Sequence, residues 1–368
     1  MRNETPPRRG PYIAYVSALA ALMFLLGACP RCYAEDDPVT LRTAPVVIAR
    51  GFDELVDVAV APDASDTIFL AERGGLVKAV AKGKELDDAI LDIEEILSSK
   101  PGVGLESVAI APSMQALFFS YTDKNGDTVL ASTRLPQETE TATPDDMTVL
   151  LKIVQLQPQH PRSIIRFGQD GYLYMITGAL DHQTESQRLK DLRGCILRLD
   201  VSDPTKYHIP SDNPLYGSPA HPHEAWAHGI KGSWGLVMDS ALPQPLLGLT
   251  QHNAATILSP LQKGRDYLQP CPSASCIRTL PRVTGDHTNR WIGIIRYQGS
   301  QLKALKDQLL VAEEALGVFA LTSTNGGAEA PVSVASVPSG KIVILTTTPQ
   351  GEPLLATDKG ELLTLRPL

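Results

Sequence analysis

A short unit recurs six times along this chain: an apolar alternating run, a turn, a second such run and, in most copies, a glycine turn with a third run. The copies are "VDVAVAPDASDTIFLAERGGLVKAV", "ESVAIAPSMQALFFSYTDKNGDTVLASTRL", "SIIRFGQDGYLYMITG" with "GCILRLD", "WGLVMDSALPQPLLGLT", "IGIIRYQGSQLKALKDQLLVAEEALGVFALT" and "GKIVILTTTPQGEPLLATDKGELLTLRP". First strands are expected near Val56, Glu106, Ser163, Trp234, Ile292 and Gly340, a spacing of roughly 50 to 70 residues. Period-2 alternation specifies strands. Gly74-Gly75 and Asn125-Gly126 supply the backbone freedom of hairpin turns. One three- or four-stranded sheet cannot bury both of its faces, whereas six packed radially can, and that arrangement leaves only short edges. The expectation is an all-β, six-bladed β-propeller. "KELDDAILDIEEILSSK" reads either as a helical turn between blades or as an extended outer strand. "DKNGD" at Asp123 to Asp127 reads as a hairpin turn, because the twelfth position that a calcium-binding EF-hand gives to glutamate is Arg134.

Composition agrees with many short strands: 29 prolines and 28 glycines are spread through 368 residues. A formal net charge of -8 removes nucleic acid as a partner. Residues 1–34 read as an export signal or a membrane or lipid anchor. Arg2, Arg8 and Arg9 precede the apolar run Tyr12 to Ala28. Three outcomes stay open: cleavage after Ala34, lipidation of Cys29 in "LGAC" if the host is bacterial, and an uncleaved span. Each places the body, a single propeller domain over 45–368, across a membrane, in the periplasm or outside the cell. There Cys271 and Cys276 of "CPSASC" form either a disulfide or two free thiols. Cys195 reads as a buried strand residue, and these three cysteines contain no Cys-x-x-Cys spacing. No dinucleotide-binding glycine motif, phosphate loop or nucleophile elbow is present.

Several stretches, in order, carry a resemblance: "AERGGLVKAV", "GLESVAIAP", "HPRSIIRFGQDGYLYMITG", "LRGCILRLD", "IPSDNPLYGSPAHPHEAWAHGIKGSWGL", "KGRDY" and "LLATDKGELLTL". Through them the chain resembles the glucose/sorbosone dehydrogenases, also called soluble aldose sugar dehydrogenases. These are exported six-bladed propellers that use pyrroloquinoline quinone (PQQ) and calcium. The resemblance implies that His160 is the base taking the sugar hydroxyl proton, a fitting role for an imidazole that titrates near neutrality. It implies cofactor contacts from Lys231, and Arg162 and Arg166 are further cations for an anionic ligand, although the alternation around Arg166 favours solvated surface charge.

This sequence also departs from the family pattern. Ser163-Ile164 replaces the Gly-Arg after the histidine, and Lys231-Gly232 replaces an Arg-Asn pair, losing a guanidinium fork. Glu313 and Glu314 stand where basic residues are expected and would repel an anion if they faced the channel. No carboxylate occurs from Leu249 to Gly264, the counterpart of the calcium loop, and Ala179 replaces an aspartate, with Asp181 two residues on. His208, His221, His223 and His228, with Glu224, are either metal ligands or solvated loop residues; Trp226, Trp234 and Trp291 are either inter-blade packing or a sugar platform. Two principal functions follow: a quinoprotein that oxidises a sugar hydroxyl, and a non-catalytic propeller that binds a glycan or a protein partner. A lipid-anchored structural component of an envelope assembly is a third.

Overall fold

The computed structural model describes residues 43–63, 65–136, 139–155, 162–178, 191–239, 241–250, 256–269, 278–279, 290–321, 323–324, 327–328, 331–337 and 340–368, all within the compact unit Leu41–Leu368. His160, Cys29, Cys271, Cys276, Ala179, Asp181 and the whole of 1–34 lie outside the described residues.

The described part is a six-bladed β-propeller. The chain begins it with β1 (Thr43–Arg50), which opens no blade of its own. Blade one is β2 (Leu55–Val60), β3 (Ile68–Glu72), β4 (Leu76–Ala81) and β5 (Lys84–Glu85), with β6 (Leu91–Asp92) also on β4. Blade two is β7 (Leu105–Ile110), β8 (Ala116–Thr122), β9 (Thr128–Arg134) and β10 (Met147–Ile153). Blade three is β11 (Ile164–Phe167), β12 (Leu173–Ile176), β13 (Cys195–Leu199) and β14 (Ala225–His228); blade four is β15 (Ser233–Val237), β16 (Leu246–Thr250), β17 (Thr256–Pro260) and β18 (Arg278–Thr279). Blade five is β19 (Trp291–Arg296), β20 (Leu309–Glu313) and β21 (Gly317–Leu321), with β22 (Ser323–Thr324) and β23 (Gly327–Ala328) as a small hairpin before the outer β24 (Val332–Ala335). Blade six is β25 (Ile342–Thr347), β26 (Pro353–Thr357) and β27 (Glu361–Pro367), completed by β1, which pairs antiparallel with β27 from Thr43↔Pro367 to Arg50↔Glu361. The ring is therefore closed by hydrogen bonds between the two ends of the domain.

Burial follows the repeat. β7, β8, β12 and β26 are buried at every position because they lie between neighbouring blades. Leu105, Val108 and Leu117 of blade two pack with Val56, Val77 and Leu91 of blade one in a shared core. "KELDDAILDIEEILSSK" is neither of the two expected forms alone: it holds β5 and β6, then a 3-10 turn at Glu94–Ile96. "DKNGD" is a hairpin turn between β8 and β9, with Gly126 N donating to Asp123 O at 2.8 Å. Cys195 is buried at the start of β13.

Five of the six innermost strands, β2, β7, β15, β19 and β25 but not β11, share a second feature. Their pairing shifts register between Leu55 and Asp57, Leu105 and Ser107, Ser233 and Gly235, Trp291 and Gly293, and Ile342 and Ile344. Only β11 pairs without a shift. A bulge adds a residue and re-aims its side chain. The added residues are Val56, Glu106, Trp234, Ile292 and Val343, one near the start of each bulged strand. These starts define the upper face of the propeller.

Candidate functional site

The innermost strands enclose a channel cavity of about 660 Å³, lined from β2, β11, β15, β19 and β25. Three of the re-aimed residues, Trp234, Ile292 and Val343, face or border it. Glycine makes room on two strands. A Cβ on Gly235 would come within 2.8 Å of Ile294 Cγ2, and one on Gly293 within 3.0 Å of Leu345 Cβ. Adjacent inner strands approach that closely only without a side chain there.

Charge in the channel is mostly self-paired. Asp57, on β2 and almost wholly buried, receives both arms of the Arg166 guanidinium: Nη2 donates to Oδ1 at 2.7 Å and Nη1 to Oδ2 at 2.8 Å. The Ser107 hydroxyl of β7 donates to the same carboxylate, as do Val58 N at 2.9 Å and Val108 N at 3.1 Å. Ser107 Oγ in turn accepts from Ile165 N at 3.1 Å. One carboxylate thus ties blades one, two and three together. Burial pushes the Asp57 pKa up, but the Arg166 charge and the hydrogen bonds from Arg166 and Ser107 outweigh it and hold it below the usual aspartate value. The surface-charge reading of Arg166 is corrected: its alternation sends it inward, where an aspartate replaces the water it would have met. Lower in the channel, Arg296 is held by Asp239 at 3.1 Å and Asp307 at 2.7 Å.

Arg162 differs. It lies two residues before β11 and lines the cavity while remaining exposed. Its Nη2 donates to Val56 O at 2.6 Å, and its other N–H groups have no hydrogen-bond partner among the described residues. Although the side chain opens onto the cavity, the packed protein around it removes much of its water, which is the main influence lowering its pKa; Arg166 adds repulsion and Asp57 opposes both.

Beside it, Ser163 is fully buried. Its amide donates to Glu106 Oε2 at 2.8 Å, its hydroxyl donates to the same oxygen, and Thr122 Oγ1 donates to Glu106 Oε1 at 2.7 Å. The serine that departs from the family's glycine is thus a clamp on a buried carboxylate. Lys231 is half-buried between β14 and β15 and does not line the channel cavity. The condition set for Glu313 and Glu314 is not met, because neither lines the channel cavity. Glu313 accepts from the amides of Arg290 at 3.1 Å, Ala315 at 2.8 Å and Leu316 at 2.7 Å. Glu314 pairs with Arg290 at 3.2 Å and Lys341 at 3.7 Å.

Trp234 and Trp291 are buried and pack together at 6.4 Å between ring centres, and Trp291 meets Phe319 edge-on. Half-buried Trp226 is faced by the cations of Arg198 at 4.9 Å and Lys263 at 5.4 Å. His221 and His228 lie ring to ring at 5.2 Å, with His228 Nδ1 3.6 Å from Asp266. No group of three His, Cys, Asp or Glu side chains among the described residues is placed to hold a metal ion.

Sequence reasoning passed over Asp57, Ser107, Glu106, Asp239 and Arg296. The signal for Asp57 was available: an aspartate inside the apolar strand "LVDVAV" must be paired to be tolerated.

Comparison with known proteins gives a family model, Glucose / Sorbosone dehydrogenase, matching residues 52–244. Hedgehog-interacting protein of Mus musculus is 29% identical over 257 residues, covering 60% of this chain and 36% of that protein. The chain thus spans about a third of that relative's length. Aldose sugar dehydrogenase YliI of Escherichia coli (strain K12) is 26% identical over 213 residues, 55% of each. Among solved structures, the apo soluble aldose sugar dehydrogenase of Escherichia coli superposes with a TM-score of 0.69 at 19% identity, covering 89% of this chain and 100% of that one. The PQQ-bound aldose sugar dehydrogenase of Streptomyces coelicolor gives 0.67 at 18% identity, covering 89% and 98%.

Proposed function

The chain belongs to the glucose/sorbosone dehydrogenase family, and we propose that it is an exported, non-catalytic member whose hub binds a saccharide. The observation that carries this reading is the charge of the channel wall. Among the described residues the lining holds three arginines, Arg162, Arg166 and Arg296, against two aspartates, Asp57 and Asp239, a net charge of +1. Two of the three guanidiniums are already engaged by those carboxylates. PQQ carries three carboxylates, and a cavity whose described residues offer one uncommitted cation does not neutralise them. Calcium needs six to eight oxygens, and both channel carboxylates face arginine instead. The described hub residues do not fit the quinone and its ion. They do suit a smaller polar ligand, since a cavity of this size is a common small-molecule site and its exposed lining is more polar than apolar.

The second reading is sugar oxidation, with His160 as base and Arg162 and Lys231 as cofactor contacts. It is favoured by the span of the family match, which includes all three positions, and by Arg162 at the channel wall.

Titrating PQQ with calcium into the purified protein, and following dye reduction with a panel of aldoses, separates the two. The binding reading expects no saturable PQQ binding at micromolar concentration and no turnover, with saccharide binding detected calorimetrically. Turnover lost in His160→Ala would establish the oxidative reading instead. Absence of any saccharide binding, with a protein captured on the upper face, would overturn the saccharide.

A further inference from the structure

We propose that the saccharide taken by this hub carries a single carboxylate, as a terminal uronic acid does, and that Arg162 is the residue that selects it. The inference rests on the saccharide-binding reading above and specifies its ligand class.

Arg162 is anchored yet largely uncommitted. One N–H is fixed on Val56 O at 2.6 Å, and Val56 is the residue that the bulge of β2 adds. A guanidinium has five N–H groups in a planar fork. Four therefore remain, none with a hydrogen-bond partner among the described residues, on a side chain that borders the channel. A planar carboxylate matches such a fork with two parallel hydrogen bonds.

The surroundings set the charge of the ligand. Asp57 lies close enough to act on Arg162 electrostatically, and Asp239 stands lower in the same wall. A ligand with one negative charge brings the +1 of the described wall residues to zero. A phosphomonoester or a dicarboxylate would leave an uncompensated negative charge facing those aspartates in a confined space. The rest of the wall suits a sugar ring. Half-buried Ile292 and Val343 border the upper channel and offer apolar surface to the C–H face of a pyranose. Deeper, the half-exposed Thr346 and Thr347 of β25 present hydroxyls to a ligand's own hydroxyl groups.

Isothermal titration of the full-length protein with glucuronate, glucose, methyl glucuronate ester and acetate tests this. Glucuronate is expected to bind about ten- to a hundredfold more tightly than glucose or the ester, the range of a charge-assisted bidentate contact. Arg162→Gln should collapse that ratio to near one, and Arg162→Lys, which keeps the charge but loses the fork, should restore only part of it. Unchanged thermal unfolding of both variants certifies their fold. Should glucose and glucuronate bind equally, the carboxylate inference fails and the saccharide reading stands. Should acetate match glucuronate, the ring contributes nothing and the inference fails. Should none of the four bind, the saccharide reading itself fails.

Discussion

Asp57 shows how a single residue organises this hub. A carboxylate buried in the innermost strand is tolerated because Arg166, Ser107 and two amides surround it. Removing one partner of a buried ion pair leaves the other charge unpaired, so Arg166→Met is expected to destabilise the fold by about 3 kcal/mol. In urea unfolding, Asp57→Leu combined with Arg166→Met should recover most of that loss, because no charge is then stranded. The pair also gives a pH dependence. The folded pKa of Asp57 is depressed, so its stabilisation is complete above the unfolded aspartate value of about 4 and is lost as pH falls through the folded value. Stability measured from pH 7 down to pH 2 should therefore fall more steeply in the wild type than in Asp57→Asn. A wild-type profile no steeper than the variant's would place the acid sensitivity in other carboxylates. This residue was legible in the sequence only as an anomaly. Its partners lie 50 and 109 positions away, and no local pattern joins residues on three different blades.

The strands themselves were far more legible. Innermost strands expected near Val56, Glu106, Ser163, Trp234, Ile292 and Gly340 begin at Leu55, Leu105, Ile164, Ser233, Trp291 and Ile342. Turn-bounded apolar runs mark them because both faces of an inner strand pack against neighbouring blades. Alternation does not mark the bulges, since an inserted residue such as Ile292 is as apolar as its neighbours. Nor does it mark β1, whose partner β27 is separated from it by almost the whole domain. β1 closes the ring, so its removal tests that closure. A chain starting at Gly51 would leave β27 as an open edge and strip half-buried Val47 and Ile48 from blade six. That truncation is expected to cost about 3 kcal/mol, from two aliphatic side chains returned to water, and to promote self-association through the freed edge. Thermal unfolding and light scattering of the two lengths measure both effects. An equally stable, monodisperse shorter chain would mean that the ring closes without this strand.

At the scale of the whole molecule, two charge distributions oppose each other. Residues 35–368 carry 29 basic and 40 acidic side chains, a net charge of -11, while the described residues of the channel lining carry +1. Overall charge sets the long-range field that an approaching ligand meets, and the lining sets the contact it finds at the end. A tricarboxylate would be repelled by that field three times as strongly as a monocarboxylate and would gain only one guanidinium on arrival. Added salt screens the field beyond a Debye length of roughly 10 Å at 0.1 M, and a partly enclosed contact is screened much less. For glucuronate the association rate should therefore rise, by about twofold, between low and physiological salt. The dissociation rate, governed by the Arg162 contact, should change less. This is the opposite of the salt response of a site steered by an attractive field, where association slows as salt is added. Stopped-flow measurement of both rates across ionic strength distinguishes the cases. A falling association rate would show that positive charge outside the described channel dominates the approach, and the assignment of Arg162 as the decisive cation would then give way to a distributed one.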